Sequence, residues 1–127
     1  MFSHVFIGVS DFDKSLAFYN AIFDILGARL RYSDHGKAIW RGKEPRPIFV
    51  IGKPANGEKP HPGNGHTCAF SAETRAQVDD VFAKAMMLGG KDEGGPALRP
   101  QYHAHYYGAY FRDLDGNKLC VVCHNPA

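Results

Sequence analysis

The strongest constraint in this sequence is an internal repeat with an offset of 62 residues. His4 opens a short run of β-branched and aromatic residues, and His66 opens a second such run 62 positions later. The pairs Leu26-Gly27 and Leu88-Gly89, each typical of a helix end, are separated by the same 62 positions. A strand, a helix and a helix stop therefore recur in one order, which predicts that the chain folds as two copies of one unit.

Hydrophobic periodicity predicts the same elements in both copies. Apolar residues recur at three- and four-residue spacing before each helix stop, which predicts two amphipathic helices. Short β-branched and aromatic runs predict strands at 4–9, 28–32, 37–41, 47–51, 66–71, 106–112 and 117–124, with a short strand at 91–93. The segment Asp113-Leu114-Asp115-Gly116 between the last two strands is typical of a hairpin turn.

These elements predict an α+β fold made of two βαβββ modules, at about 1–52 and 65–127. Glycine and proline are concentrated between the modules, so residues 53–64 are interpreted as a connector. A chain of 127 residues is long enough to bury a core without disulfide or metal staples, and we expect a single domain.

Composition excludes several classes of function. With 44% hydrophobic and 22% charged residues, the chain is typical of soluble globular proteins, and no apolar run approaches the roughly 20 residues of a membrane-spanning helix. The formal charge of +2 comes from basic and acidic residues spread along the chain, which gives little reason to expect nucleic acid. Three cysteines and no secretory signal indicate reduced thiols in the cytoplasm.

Side chains in the first strand of each copy point alternately to the two faces of the sheet, and this alternation indicates which residues are candidate ligand contacts. Side chains two positions apart in a strand share a face, so His4 and His66 each begin a set of residues with one orientation. If the duplicated strands lie side by side, His4 and His66 face each other across a pseudo-twofold axis. The other members of these two sets that we expect to contact a ligand are Phe6, Cys68 and Phe70.

Taken in order, these motifs resemble the vicinal oxygen chelate superfamily, which holds glyoxalase I, extradiol dioxygenases and bleomycin resistance proteins. The resemblance covers nearly the whole chain and depends on the order and spacing of its parts. Those parts are His4 to Val9 with Ser10-Asp11, Ser15 to Tyr19, Gly65-His66, Leu88-Gly89-Gly90 and Asp113 to Lys118. The resemblance implies a cupped mixed β-sheet around a cavity for a small organic molecule, often completed by a homodimer.

The resemblance also implies a divalent metal, bound through one inward side chain from each of four strands. His4 and His66 match the family's two histidine positions, and Cys120 falls where a glutamate usually stands. The fourth position lies within residues 47–51, which offer no metal-binding atom. The implied site is therefore altered: His4, His66 and Cys120 either hold a metal such as Zn, Fe, Ni or Mn, or Cys120 is a small buried apolar side chain.

Two further signals have a functional and a structural interpretation. His103, His105 and Tyr107 follow a glycine-rich stretch, and in a loop they could close over a ligand and supply a general base. The alternative is a surface loop with packed aromatic rings. Trp40 is likewise interpreted either as a cavity residue or as a core aromatic.

Three functions remain open from the sequence. The first is a small-molecule enzyme of the lyase or dioxygenase type with a non-standard site; it is not a standard glyoxalase I, since Cys120 replaces the acid and Gly8 stands where related glyoxalases carry an arginine. The second is a metal-free binding or sequestering protein of the bleomycin-resistance type. The third is an assembly module with a vestigial cavity.

Overall fold

The computed structural model describes all 127 residues, from Met1 to Ala127, and contains two helices and eight strands. Neither helix combines the length and apolarity needed to cross a membrane. In chain order the elements are β1 (His4–Gly8), α1 (Phe12–Leu26), β2 (Arg29–Ser33), β3 (Lys37–Arg41), β4 (Ile48–Gly52), β5 (Cys68–Ala72), α2 (Arg75–Met87), β6 (Lys91–Leu98), β7 (Tyr107–Arg112) and β8 (Lys118–Cys123).

The strands form two mixed sheets of four, with the orders β1-β4-β3-β2 and β5-β8-β7-β6. In each sheet the first strand of the module pairs in parallel with the last, and the other pairs are antiparallel. The predicted α+β fold of two βαβββ modules is therefore confirmed. Within one chain, however, β1 and β5 do not lie side by side, because each is an edge strand of its own sheet.

The sixth strand is longer than its sequence suggests. The sequence pattern predicts only a short strand at 91–93, whereas β6 runs from Lys91 to Leu98. Its pairing with β7 is interrupted by two register shifts, on either side of Gly94, whose φ of 137° lies in the region that favours glycine. The strand therefore accommodates a glycine-rich segment through bulges, which obscure the alternation that a regular strand would show.

The two helices differ in length, and this difference breaks the regular repeat. Asp11 caps α1, and Thr74 caps α2 with a capping box that includes Gln77. These caps are 63 positions apart, while Gly27 and Gly89, the left-handed glycines after the helices, are 62 apart. The second module is thus one residue shorter between helix start and helix stop. When the two modules are aligned at their helix caps, each residue of β5 follows its equivalent in β1 by 63 positions.

One hydrophobic cluster draws residues from both modules. Phe23 of α1, Phe49 of β4 and Phe70 of β5 meet edge to face, with ring centroids 5.0 to 5.3 Å apart. Burial alternates along the strands: in β1, Ile7 is buried in this cluster while Phe6 is exposed. Each sheet therefore has one face packed on the core and one open face.

A buried carboxylate joins the modules. Asp113, in the turn between β7 and β8, is 4% exposed. Its Oδ2 accepts hydrogen bonds from the Tyr19 hydroxyl of α1 and from Asn117 Nδ2, and its Oδ1 accepts from the backbone amides of Asp115 and Asn117. Asn117 Nδ2 also donates to the Gly8 carbonyl of β1 at 3.2 Å. Burial raises the pKa of Asp113, and these hydrogen bonds partly offset the increase.

We predict that Tyr19→Phe lowers the free energy of unfolding by about 1.5–3 kcal/mol, the usual contribution of a hydrogen bond to a charged group. The substitution removes a donor from a buried carboxylate and changes little else, because the phenyl ring keeps its place in the core. Urea denaturation of the variant and the parent protein measures the difference.

The matched control is Tyr32→Phe, which removes a hydroxyl that donates to exposed Asp34 at 3.0 Å. We expect no measurable change, because water replaces a donor to an exposed carboxylate. Equal losses in the two variants would contradict the special role of the buried pair.

Candidate functional site

The open face of the second sheet carries a cleft of about 460 Å³, which we call the tyrosine cleft. Ala69 of β5 pairs with Cys120 of β8, and Cys120 pairs with Tyr110 of β7. Because paired residues on neighbouring strands point to the same side, these three side chains form a row across the open face. The residues lining the cleft are Thr67, Ala69, Glu93, Arg99, Tyr102, Tyr106, Tyr110, Lys118 and Cys120.

Two phenols and a thiol occupy the centre of the tyrosine cleft. The hydroxyl oxygens of Tyr106 and Tyr110 are 2.8 Å apart, and the Tyr106 oxygen is 3.6 Å from Cys120 Sγ. Burial raises the pKa of both phenols, and for Tyr106 its hydrogen bonds to Tyr110 and Cys120 raise it further. Burial also raises the pKa of the Cys120 thiol. All three groups are therefore protonated and uncharged near neutral pH.

Two cations lie against the Tyr110 ring. Arg99 Cζ is 5.0 Å and Lys118 Nζ is 5.5 Å from the ring centroid, within the range of cation–π contacts. The Arg99 guanidinium donates to three backbone carbonyls of β6 and β7, which fix its position. Neither cation forms a salt bridge, because the acid that lines the cleft, Glu93, is paired with Arg112 at 2.7 Å. The tyrosine cleft therefore has an excess of positive charge.

His103 lies beside the tyrosine cleft, packed against the ring of Tyr106. Its Nε2 is 2.8 Å from Nδ1 of His124, and the two imidazoles stack. His103 Nδ1 accepts from the backbone amide of His105, so Nε2 carries the proton and donates to His124 when His103 is neutral. The exposed His105 side chain forms no hydrogen bond. Neither of the two predicted histidines lines the tyrosine cleft, but His103 packs on Tyr106, which does.

A second cleft, of about 630 Å³, lies between the connector and the open face of the first sheet; we call it the connector cleft. Phe6 and Gly8 of β1 line it, together with connector residues from Lys53 to His61 and Lys37 of β3. A Cβ atom on Gly8 would lie 3.1 Å from Pro60 and 3.2 Å from Pro54. An arginine at this position, as the resemblance to glyoxalases would require, does not fit unless the connector moves.

The structure does not bring the three predicted metal ligands together. His4 lies on the open face of the first sheet, where its Nδ1 is 2.9 Å from the Ser3 hydroxyl. Cys120 lies in the tyrosine cleft of the other sheet. His66 precedes β5, and its ring packs on the connector, 2.9 Å from the place of a Cβ on Gly63.

Thr67, rather than His66, is the structural equivalent of His4. Thr67 precedes the cap of α2 by seven positions, just as His4 precedes the cap of α1. Thr67 lines the tyrosine cleft, in line with Ala69 two positions later. Because successive residues of a strand point to opposite faces, the one-residue difference reverses the face. The alignment at an offset of 62 was therefore wrong for this strand.

The same reversal applies to the other residues predicted from β5. Cys68 and Phe70 pack against the core cluster, not in the cavity. Burial raises the pKa of the Cys68 thiol to about 11. Trp40 is also a core residue, only 1% exposed, and its Nε1 donates to Asn20 at 2.8 Å. Of the four predicted ligand contacts, Phe6 lines the connector cleft, and the other three line neither this cleft nor the tyrosine cleft.

Tyr107 points away from the tyrosine cleft, although it adjoins Tyr106 in sequence. Its hydroxyl donates to Asp79 of α2 at 2.6 Å, and Arg75 lies over its ring. Tyr110, three residues later on β7, lines the cleft instead. Tyr107 therefore contacts the helix side of the sheet and cannot touch a ligand in the cleft.

The residues present do not fit the four-strand metal site that the resemblance implies. At the four equivalent strand positions the structure places His4, Val50, Thr67 and Cys120, and valine offers no ligand atom. A histidine and a thiol on different sheets are too few donors, since protein sites for these metals normally use three or four. No group of three or more His, Cys, Asp or Glu side chains is placed to hold a metal ion.

Of the residues that line the tyrosine cleft, only Cys120 was among the predicted site residues. Sequence reasoning missed the others, including Arg99, Tyr110 and Lys118. The hairpin turn contained a signal for Tyr110 and Lys118, because pairing across that turn sets Tyr110 opposite Cys120 and Arg112 opposite Lys118. Arg99 had no such signal. It follows a bulged strand, and its guanidinium is held by carbonyls that only the folded chain brings near.

Comparisons with known proteins agree with this fold. The family model of the Glyoxalase/Bleomycin resistance protein/Dioxygenase superfamily matches residues 1–121. A glyoxalase/bleomycin resistance protein from Albidiferax ferrireducens T118 is 36% identical, with a TM-score of 0.87 and 99% of both chains covered. No curated protein matches the chain.

Two more distant structures are similar in fold. One is the fosfomycin resistance protein FosX from Mesorhizobium loti, 20% identical, with a TM-score of 0.71 and coverage of 98% of this chain and 92% of that chain. The other is a lactoylglutathione lyase from Agrobacterium tumefaciens, 18% identical, with a TM-score of 0.66 and coverage of 97% and 92%. From the family model and the two βαβββ modules, we conclude that the chain belongs to the glyoxalase/bleomycin resistance protein/dioxygenase superfamily.

Proposed function

We propose that this protein binds a small organic molecule in the tyrosine cleft without a metal ion. The observation that carries the proposal is the centre of the cleft, where Cys120 replaces the expected acid and lies next to the hydrogen-bonded pair of Tyr106 and Tyr110. A cleft of about 460 Å³ falls within the usual range of small-molecule sites. Among the hypotheses from the sequence, this favours the metal-free binding protein.

The two central phenols suit direct recognition of a ligand. When one hydroxyl donates to the other, the acceptor keeps a free O–H that can donate to Cys120 or to a ligand atom. Tyr102 packs on Tyr106, with ring centroids 4.8 Å apart, and adds an aromatic wall. Rings with fixed positions and polar tips supply apolar contact and hydrogen bonds at a low cost in conformational entropy.

An enzyme is the second candidate function, and the pair of His103 and His124 favours it. The stacked imidazoles pack against the ring of Tyr106, which places two potential proton acceptors beside the cleft. Histidine is a common general base when it lies within hydrogen-bond reach of a bound ligand, directly or through one water molecule. Such an enzyme would use proton transfer of the lyase type and needs no redox metal.

We also propose that the protein is a cytoplasmic homodimer. β1 and β5 are edge strands, each with one side that no strand of the same chain covers. Pairing with a second copy would cover these edges and join the open faces of the two sheets. All three cysteines are free thiols, which supports a reducing compartment.

We predict that Tyr110→Phe weakens ligand binding about fivefold, the effect of losing one neutral hydrogen bond. The ligands are taken from a library of small aromatic and aliphatic compounds, screened by thermal shift, and the hits are titrated by calorimetry. Binding should persist after dialysis against EDTA. A requirement for zinc, iron, nickel or manganese would contradict the proposal.

The matched control is Tyr107→Phe, on the same strand but on the helix side of the sheet. We expect unchanged affinity for every hit. If no hit depends on Tyr110, or if both variants lose the same affinity, the tyrosine cleft is not the binding site.

For the homodimer, we predict a mass of about twice the 14.0 kDa chain by size-exclusion chromatography with light scattering. A mass near that of one chain at micromolar concentration would contradict this part of the proposal.

A further inference from the structure

We propose that the ligand of the tyrosine cleft is an organic anion, whose carboxylate or equivalent oxyanion group binds between Lys118 and the hydroxyl pair of Tyr106 and Tyr110. This inference rests on the proposed function and names the class of its ligand. It follows from the charges that line the cleft, from the groups that could neutralise them, and from the free donors that remain.

The charges that line the cleft do not balance. Arg99 and Lys118 both lie within 5.5 Å of the Tyr110 ring centroid, and neither forms a salt bridge. Glu93 is the one acid that lines the cleft, and Arg112 already neutralises it through a 2.7 Å contact. Two positive charges therefore have no counter-charge from the protein, in a cleft where partial burial strengthens their field.

The remaining titratable groups in the cleft cannot supply the missing negative charge. Tyr106, Tyr110 and Cys120 would each have to lose a proton, and burial raises the pKa of all three. Burial has the largest effect on the pKa of Cys120 and raises it, although hydrogen bonds with the two phenols and the charges of Arg99 and Lys118 lower it. At neutral pH these three groups are uncharged and supply no counter-charge, which favours an anionic ligand in the cleft.

The free donors converge on one place. Arg99 is held by backbone carbonyls and contributes mainly its charge, whereas the Lys118 ammonium has no hydrogen-bonded partner in the protein. Lys118 and Cys120 are two positions apart on β8 and share its open face. An oxyanion near Cys120 can therefore accept a charge-assisted bond from Lys118 and a second bond from the free phenol O–H. The Tyr102 and Tyr106 rings would then contact the organic part.

The test compares carboxylates with their neutral amides, which have nearly the same shape. Benzoate, phenylacetate and pyruvate are titrated against the protein beside benzamide, phenylacetamide and pyruvamide, with binding followed by NMR. We expect at least one carboxylate to bind about tenfold more tightly than its amide, because a charge-assisted hydrogen bond replaces a neutral one.

Three variants test whether Lys118 causes the preference for the carboxylate. Lys118→Met keeps the length of the side chain and should abolish the preference for the carboxylate, with amide binding unchanged. Lys118→Arg keeps the charge and should restore it. Lys14→Met makes the same change of net charge on the exposed surface of α1 and should leave the preference intact. Circular dichroism confirms that each variant is folded.

The outcomes separate this inference from the proposed function. If carboxylates bind no better than amides, or if Lys118→Met keeps the preference, the inference is overturned. If neutral compounds still bind and still depend on Tyr110, the proposed function stands without the anion. If no compound of either kind depends on Tyr110, both fail.

Discussion

The buried carboxylate of Asp113 is the contact on which the arrangement of the two modules depends. A buried charge is stable only when hydrogen-bond donors surround it, and four donors from the hydroxyl of Tyr19, the side chain of Asn117 and two turn amides meet this need. The next acid in the turn, Asp115, accepts from the amide and hydroxyl of Ser10. The turn is thereby fixed against α1 and β1. Since β7 ends and β8 begins at this turn, the turn positions their side chains in the tyrosine cleft.

The protein has the fold of its family, but the side chains in its cleft differ from those of a metal site. In the family, a metal site needs several electron-pair donors that converge, and a surrounding field that does not repel a divalent cation. Here Thr67 and Val50 replace two donors, and Arg99 and Lys118 add positive charge beside Cys120. Coulomb repulsion from these two cations disfavours a divalent cation and favours an anion at the same place. The arrangement of these side chains therefore favours an organic ligand that the protein binds directly, without a metal ion.

Much of the fold was predictable because its signals are local. Helix caps, left-handed glycines and the Asp113–Gly116 turn act through neighbouring residues, so the order of strands and helices could be predicted from the sequence. The site was less predictable. Among the residues predicted for the site, Phe6 and Cys120 line clefts, whereas Cys68, Phe70, Trp40 and Tyr107 face the core or a helix. Bulges in β6 concealed the segment that carries Arg99.

The sequence by itself determined the duplication, the α+β class and the family, because hydrophobic periodicity and turn residues are patterns among residues close together along the chain. Only the tertiary structure decided which side chains meet. The second module is one residue shorter between the helix cap and the glycine that follows the helix, and this moved the equivalence from His66 to Thr67. In a strand, a shift of one residue exchanges the core face and the cleft face. Likewise, the positive charge of the tyrosine cleft arises because Arg99 and Lys118, which are distant in sequence, contact one ring.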